Sequence, residues 1–149
     1  MKELKGEWNY QSFCSFAAVA DRSAGPTAPP HVLRPAQSAA PWTPASIMQF
    51  ETHSGGKVTG TANLGPIEFA IEGVITPPAA GIPARAAPSL PEGIELTVTV
   101  ASTGSVYKLR GYFLTGSNHI VGTVVGISND LGLQPVGTSG PFVLFPVSK

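Results

Sequence analysis

Apolar and polar residues alternate with a period of two through most of the C-terminal part of this chain, from Gly93 to Val147. The strongest structural signal lies in two neighbouring stretches, Ser105 to Thr115 and Ser117 to Ser128. The turn between them is Thr115-Gly116-Ser117-Asn118, and glycine and asparagine tolerate the positive φ that a tight hairpin turn requires. The pattern predicts a central β-hairpin within a series of four strands.

Four further stretches in the N-terminal half share this period and predict four more strands. They are Gly6 to Ala18, Ile47 to Thr52, Lys57 to Ala62 and Ile67 to Thr76. Ser12 and Phe13 interrupt the alternation of the first strand, and we expect a bulge or a bend at that point. A turn at His53-Ser54-Gly55-Gly56 joins the second and third stretches into another hairpin.

Two segments rich in proline and alanine separate these strands. The first covers residues 20–46 and holds six prolines, and the second covers residues 77–92 and holds five. Proline lacks the N–H group that a central strand needs, so we interpret both segments as long loops. The first exceeds the roughly 12 to 15 residues beyond which a structureless connection is unusual. Because it carries the apolar residues Val32, Leu33 and Trp42, we predict a partly ordered flap.

Eight strands with near-neighbour connections favour an all-β fold in a single domain that covers residues 1–149. The most economical arrangement is an eight-stranded antiparallel up-and-down barrel, because closure removes exposed strand edges. A two-sheet β-sandwich is the alternative. The composition agrees with an all-β fold, since charged residues are only 12% while glycine (17) and proline (15) are abundant, which suits short strands and turns better than helices.

The charge balance argues against two classes of partner. The formal net charge is zero, and no basic stripe is present that could neutralise nucleic-acid phosphates or contact an anionic membrane. No apolar run approaches the roughly 18 residues of a membrane-spanning helix, and residues 1–10 lack the apolar run of a secretory signal. The single cysteine, Cys14, cannot form an intramolecular disulfide, so a cytoplasmic location fits. We therefore expect no nucleic-acid partner and no membrane partner.

Two short motifs resemble parts of the calycins, the group of β-barrels that includes lipocalins and avidins. Leu4-Lys5-Gly6-Glu7-Trp8 resembles the Gly-x-Trp at the start of their first strand. Gly56-Lys57-Val58-Thr59-Gly60-Thr61 resembles the hairpin that follows in avidin-like chains. The resemblance implies a small calycin-like barrel and, by analogy of fold, a small molecule bound inside it. The biotin ligands of avidins do not map onto this sequence, so no biotin site is carried over.

Residues that commonly carry metal or catalytic chemistry form no motif here. The three histidines, His31, His53 and His119, lack the spacing of metal ligands, and Cys14 stands alone. Gly-x-Ser-x-Gly is absent and only two aspartates are present, which weakens a Ser/His/Asp hydrolase. These patterns predict no metal, no cofactor and no catalytic residue.

The first arm of the central hairpin offers a sharper hypothesis. Arg110 and Tyr112 occupy one of its faces, and Tyr107, Leu109 and Phe113 occupy the other. If the apolar face forms an oligomer contact, Arg110 points into the barrel, where its charge needs an acidic partner or an anionic ligand. If the apolar face lines the interior, Arg110 is a surface residue. Alternation alone leaves both readings open.

The predicted ligand-binding residues follow if Arg110 points into the barrel and the flap covers its open end. They are Arg110, Tyr112, Glu72, His119 and Trp42. The leading hypothesis is a non-catalytic barrel that binds a small, largely apolar molecule beneath the flap. The second is a structural module that forms a homo-oligomer through Asn118 to Ser128, which is apolar on both faces. The third is a barrel enzyme, an isomerase or cyclase, that uses the first four of these residues.

Overall fold

The computed structural model describes residues 2–15, 39–42, 45–78, 91–128 and 136–148. Its strands are β1 (Gly6–Ser15), β2 (Ala39–Pro41), β3 (Ser46–Thr52), β4 (Lys57–Leu64), β5 (Ile67–Thr76), β6 (Gly93–Val100), β7 (Ser105–Phe113), β8 (Ile120–Gly126) and β9 (Ser139–Pro146). A 3-10 turn at Ser54–Gly56 joins β3 to β4. None of these described ranges holds a helix long and apolar enough to cross a membrane. The prediction of an all-β fold is confirmed.

Eight of the strands form a closed antiparallel barrel. They pair in the order β1-β3-β4-β5-β6-β7-β8-β9, and β9 returns to pair with β1. The closing pair runs from Trp8 opposite Pro146 to Ser15 opposite Ser139. This up-and-down order confirms the predicted barrel and excludes the two-sheet sandwich, because a continuous ring of paired strands replaces two separate sheets.

The short strand β2 is absent from the sequence prediction. It lies within the 20–46 segment and pairs with the end of β1, from Phe13 opposite Pro41 to Ser15 opposite Ala39. A proline is tolerated there because β2 lies at the end of the strand order and so forms an edge. The predicted anchors Val32 and Leu33 lie outside the described residues, as do 16–38, 43–44 and 79–90.

β1 runs without the bulge expected at Ser12 and Phe13. Its pairing with β9 keeps one register from Trp8 to Ser15, and the even-numbered residues from Trp8 to Cys14 are all buried. Ser12 is only 2% exposed and continues the inward face. Of the expected bulge or bend, the bulge was wrong, because polarity alone does not decide the face of a residue. The Ser12 side chain hydrogen-bonds to Tyr10 inside the barrel.

The central hairpin keeps its place but has a longer turn than predicted. β7 ends at Phe113 and β8 begins at Ile120, so residues 114–119 form the connection. The N–H of Leu114 donates to the His119 carbonyl at 2.9 Å and closes it. Gly116 adopts a φ of 78°, the positive value for which a glycine is suited. The predicted four-residue turn is therefore a six-residue turn.

A pair of facing glycines brings β7 and β8 close together in the barrel wall. Gly111 lies opposite Gly122 in the register, and the Phe142 ring of β9 packs over the pair. A Cβ atom on Gly122 would lie only 2.0 Å from the Arg110 carbonyl oxygen. Because no larger residue fits without moving the backbone, the glycines permit this close approach.

Residues 2–5 close the lower end of the barrel, by which we mean the end where β1 begins. Leu4 is fully buried. Its N–H donates to the Thr52 hydroxyl at 2.9 Å, and that hydroxyl donates to the Leu4 carbonyl at 2.7 Å. The indole N–H of Trp8 donates to the Lys5 carbonyl at 3.0 Å. The Gly-x-Trp motif therefore lies at a closed end, and the opposite, upper end is the one that β2 borders.

Candidate functional site

The upper half of the barrel interior contains a cavity of about 50 Å³, which we call the upper cavity. Its wall is mainly apolar and mostly buried, and its lining residues are Tyr10, Ser12, Trp42, Ser46, Met48, Ala62, Leu64, Phe69, Val98, Tyr107, Leu109 and Val124. All of them are inward-facing strand residues except Trp42, which follows β2. A water molecule needs about 10–15 Å³ on the same measure, so the space corresponds to about four waters.

Trp42 closes the upper cavity from the side of β2. Its main-chain N–H donates to the Ser12 carbonyl at 2.9 Å, which fixes it to the end of β1. Its ring meets Tyr107 edge to face, with centroids 6.1 Å apart and planes at 82°. A Cβ atom on Gly126 would lie 3.8 Å from the same ring. The indole therefore spans the opening from β1 to β7 and β8.

A pair of hydroxyl-bearing residues, Tyr10 and Ser12, interrupts the otherwise apolar wall. Their side chains hydrogen-bond to each other, and both residues are less than a tenth exposed. Burial raises the pKa of the Tyr10 hydroxyl to about 12, and the bond to Ser12 opposes this shift only in part. The Tyr10 hydroxyl is therefore protonated at neutral pH and can donate a hydrogen bond.

The lower half of the barrel interior is filled by the protein's own side chains. Leu4, Val58, Ile94 and Ile120 are fully buried there. The Phe142 ring lies between the two halves and packs against Tyr10, with centroids 6.0 Å apart. Close packing of these side chains fills the lower half, and the upper cavity is the interior space that we consider as a small-molecule site.

Trp42 is the one predicted ligand-binding residue found among the described residues that line the upper cavity. Arg110 projects from the outer face of β7 and forms an ion pair with Glu95 at 3.0 Å, with their side chains 72% and 48% exposed. A pair as exposed as this contributes at most about 1 kcal/mol to stability. The inward reading of Arg110 is wrong, because Tyr107, Leu109 and Phe113 occupy the inner face instead.

The other three predicted residues also lie on the outer surface. Glu72 is exposed on β5. The His119 ring is exposed at the lower turn and packs against Phe145, with centroids 5.7 Å apart. Tyr112 faces outward beside Arg110. The structure does not gather Arg110, Tyr112, Glu72 and His119 around one interior cavity, so the isomerase or cyclase hypothesis loses its site.

Two larger recesses lie on the outer surface of the barrel. One, of about 120 Å³, lies between the lower ends of β5, β6 and β7 and is bordered by Arg110 and Tyr112. The other, of about 420 Å³, is an open groove along Gln49, Glu51 and Thr61. Exposed side chains border both, so a molecule there would keep much of its contact with water. Each includes one buried apolar residue, Ile94 in the first and Phe50 in the second, but exposed or partly exposed residues form most of the rest of each wall. Over the described part of the chain, no group of His, Cys, Asp and Glu could hold a metal ion.

Sequence reasoning missed most of the upper cavity, including Tyr10, Ser12, Met48 and Tyr107. For Ser12, the sequence pattern did indicate an inward-facing position. A strict period of two from Trp8 places it on the same face as Tyr10, so the serine marks a polar position inside the barrel. The contact between Trp42 and Tyr107 had no such signal, because it depends on how distant strands come together.

Comparisons with known proteins assign this chain to no family. No protein-family model matches the chain, and searches of the curated proteins and of the solved structures find no significant match. The closed eight-stranded barrel is compatible with a calycin-like fold, and this compatibility concerns the architecture alone.

Proposed function

We propose that this protein is a calycin-like barrel that binds a small, largely apolar molecule in the upper cavity, beneath Trp42. The observation that carries the proposal is a mainly apolar cavity in the barrel interior, bordered by one aromatic side chain, Trp42. Sites with an apolar wall and a few placed polar groups are where proteins commonly bind small molecules. The likeness of Gly6–Trp8 and residues 56–61 to calycin motifs supports the proposal by analogy. A cytoplasmic location, supported by the single buried Cys14, belongs to the same proposal.

The size of the cavity limits the ligand. With Trp42 in place, the space suits a molecule of about three to five non-hydrogen atoms. A larger ligand requires the indole to move, which breaks its edge-to-face contact with Tyr107. Xenon is therefore a suitable first probe, because it is apolar, small and known to enter dry apolar cavities.

Xenon binding followed by methyl NMR tests the proposal. As xenon pressure rises, we expect the methyl signals of Val98, Leu109 and Val124 to shift, because these residues line the upper cavity. The methyl signals of Val58 and Ile94, in the filled lower half, are expected to stay in place. Absent shifts in the first group would contradict the proposal.

Ala62 provides a variant that closes the site. Ala62→Leu adds three carbon atoms to the cavity wall, and we expect xenon binding to be lost while the fold is retained. Ala70→Leu is the matched control, because it makes the same change on the exposed outer face of β5. If Ala62→Leu bound xenon as tightly as Ala70→Leu, the site of binding would lie elsewhere and the proposal would fail.

Self-association is a second candidate function, and an exposed apolar surface favours it. Val121, Phe145 and Ile47 are 38%, 36% and 50% exposed. They lie on the outer faces of β8, β9 and β3, and two further residues connect them. Val143 of β9 lies opposite Val121, and Asn9 of β1 lies opposite both Phe145 and Ile47. Contiguous exposed apolar patches commonly mark protein interfaces. The proposed partner is a second copy of the chain.

Sedimentation velocity at micromolar concentration tests this second candidate. We expect the wild-type protein to sediment as an oligomer and Val121→Glu to shift it toward the monomer, because a carboxylate in an apolar contact must lose its water. Val74→Glu is the control, since Val74 is similarly exposed at 42% but lies on β5. A monomeric wild-type protein, or equal effects of the two variants, would count against self-association.

A further inference from the structure

Over the described residues, the wall of the upper cavity consists of neutral side chains. Its polar members are the hydroxyl groups of serine and tyrosine and the indole of Trp42, and the remainder are apolar. Nearby charged residues are engaged on the outside of the barrel. Arg110 pairs with Glu95, and Lys108 donates to the Thr97 hydroxyl at 2.6 Å. A molecule in the cavity therefore meets hydrocarbon and hydroxyl groups.

Burial in such a wall penalises charge far more than it penalises a neutral oxygen. A charged ligand would exchange its water shell for neutral groups, and an unpaired charge in an apolar site is strongly unfavourable. A neutral oxygen loses fewer interactions, because a protein hydroxyl can replace the water it leaves. The lining therefore disfavours a charged ligand even when its shape fits the cavity.

The hydroxyl pair lies at one side of the cavity, next to Trp42. The Ser12 carbonyl accepts the Trp42 N–H, and the Ser12 side chain bonds to Tyr10. Met48 and Leu109 occupy the next inward positions on their strands below Ser46 and Tyr107 and line the lower part of the cavity. This division gives the cavity a polar side under Trp42 and an apolar floor.

We infer that the upper cavity binds neutral molecules with one hydrogen-bonding oxygen, such as short alcohols or ketones, in preference to charged molecules of the same shape. The inference rests on the proposed function and names the ligand class for that site. The ligand oxygen accepts a hydrogen bond from Tyr10, and the hydrocarbon end lies against Met48 and Leu109. The raised pKa of Tyr10 keeps this donor protonated at neutral pH.

Two pairs of probes separate charge from shape. Isobutanol and isobutylammonium have the same skeleton, as do acetone, a ketone, and acetate. Affinities are measured at pH 7 from the methyl shifts of Val98 and Leu109 and from competition with xenon. We expect both neutral probes to bind and to displace xenon, and the charged probes to bind at least about 100-fold more weakly.

The variant Tyr10→Phe tests the role of the hydroxyl. We expect it to weaken ketone binding about fivefold, the effect of one neutral hydrogen bond, and to leave xenon affinity nearly unchanged. Tyr112→Phe is the matched control, because it removes a hydroxyl from the outer face of β7 and is expected to alter neither affinity.

Distinct results overturn the inference and the proposed function. Equal binding of charged and neutral probes, or no binding of either neutral probe to a protein that binds xenon, overturns the inference alone. An equal loss of xenon and ketone affinity in Tyr10→Phe also overturns it, since the change would then reflect cavity shape. A wild-type protein that does not bind xenon contradicts the proposed function and the inference together.

Discussion

Tyr10 and Ser12 show how a polar pair is kept inside an apolar barrel. Both lie on the inward face of β1, and each provides the other with a hydrogen-bond partner. Within the described ranges, every buried side-chain nitrogen and oxygen atom has a partner. Because a buried hydroxyl without a partner costs about 1–3 kcal/mol, this pairing is what makes the polar positions tolerable.

The Tyr10 hydroxyl predicts a loss of stability in alkali. Burial raises its folded-state pKa to about 12 from the usual 10.0. The folded state therefore holds the proton more tightly, and this contribution is complete below about pH 10 and is lost as the pH rises through about 12. A shift of two pKa units corresponds to about 2.7 kcal/mol.

Urea unfolding of the wild type and of Tyr10→Phe measures this contribution. We expect the free energy of unfolding of the wild type to fall more steeply than that of the variant between about pH 10 and pH 12. Other groups that titrate there affect both proteins alike, so the difference isolates Tyr10. Parallel curves would show that the Tyr10 proton is not linked to folding.

At the scale of single elements, the pairing of β7 with β8 depends on Gly122. We expect Gly122→Ala to destabilise the protein by about 2–3 kcal/mol, because its Cβ would lie 2.0 Å from a carbonyl oxygen and the backbone must move. The control is Gly126→Ala on the same strand, where the nearest atoms lie 3.8 Å away. Chemical denaturation compares the two, and equal stabilities would mean that the strands are not held as close as the structure has them.

Strands were predictable from the sequence because a half-buried strand imposes a period of two on side chains. β5 begins and ends where the pattern places it, at Ile67 and Thr76. β2 escaped prediction since three residues that end in proline carry no period, and pairing with β1 defines it as a strand. The face of Arg110 could not be read from alternation, since β7 has two plausible faces and only closure of the barrel selects one.

At the scale of the whole molecule, the two ends of the barrel differ. The lower end is closed by residues 2–5 through the buried Leu4 and its paired hydrogen bonds with Thr52. At the upper end, Trp42 is held by a main-chain hydrogen bond and a ring contact. The cavity lies beside Trp42, so we propose that a ligand enters at the upper end.

The cavity itself could not be predicted from the sequence. It exists because the closed register brings Tyr10 of β1, Leu109 of β7 and Val124 of β8 to one level of the interior without filling it. Alternation predicts which residues face inward, but the space left between them depends on the registers of all eight strands together. Trp42 could be predicted as a ligand-binding residue, because that prediction depended only on its apolar side chain and its position in the flap.

Diffraction from a crystal held under xenon pressure shows directly whether the upper cavity binds a small apolar atom. We expect a xenon peak in the anomalous map inside the barrel, between Trp42, Met48 and Leu109, and none in the lower half beside Val58 and Ile94. An empty upper cavity, with xenon only in surface recesses such as the cleft beside Arg110, would contradict the proposed function.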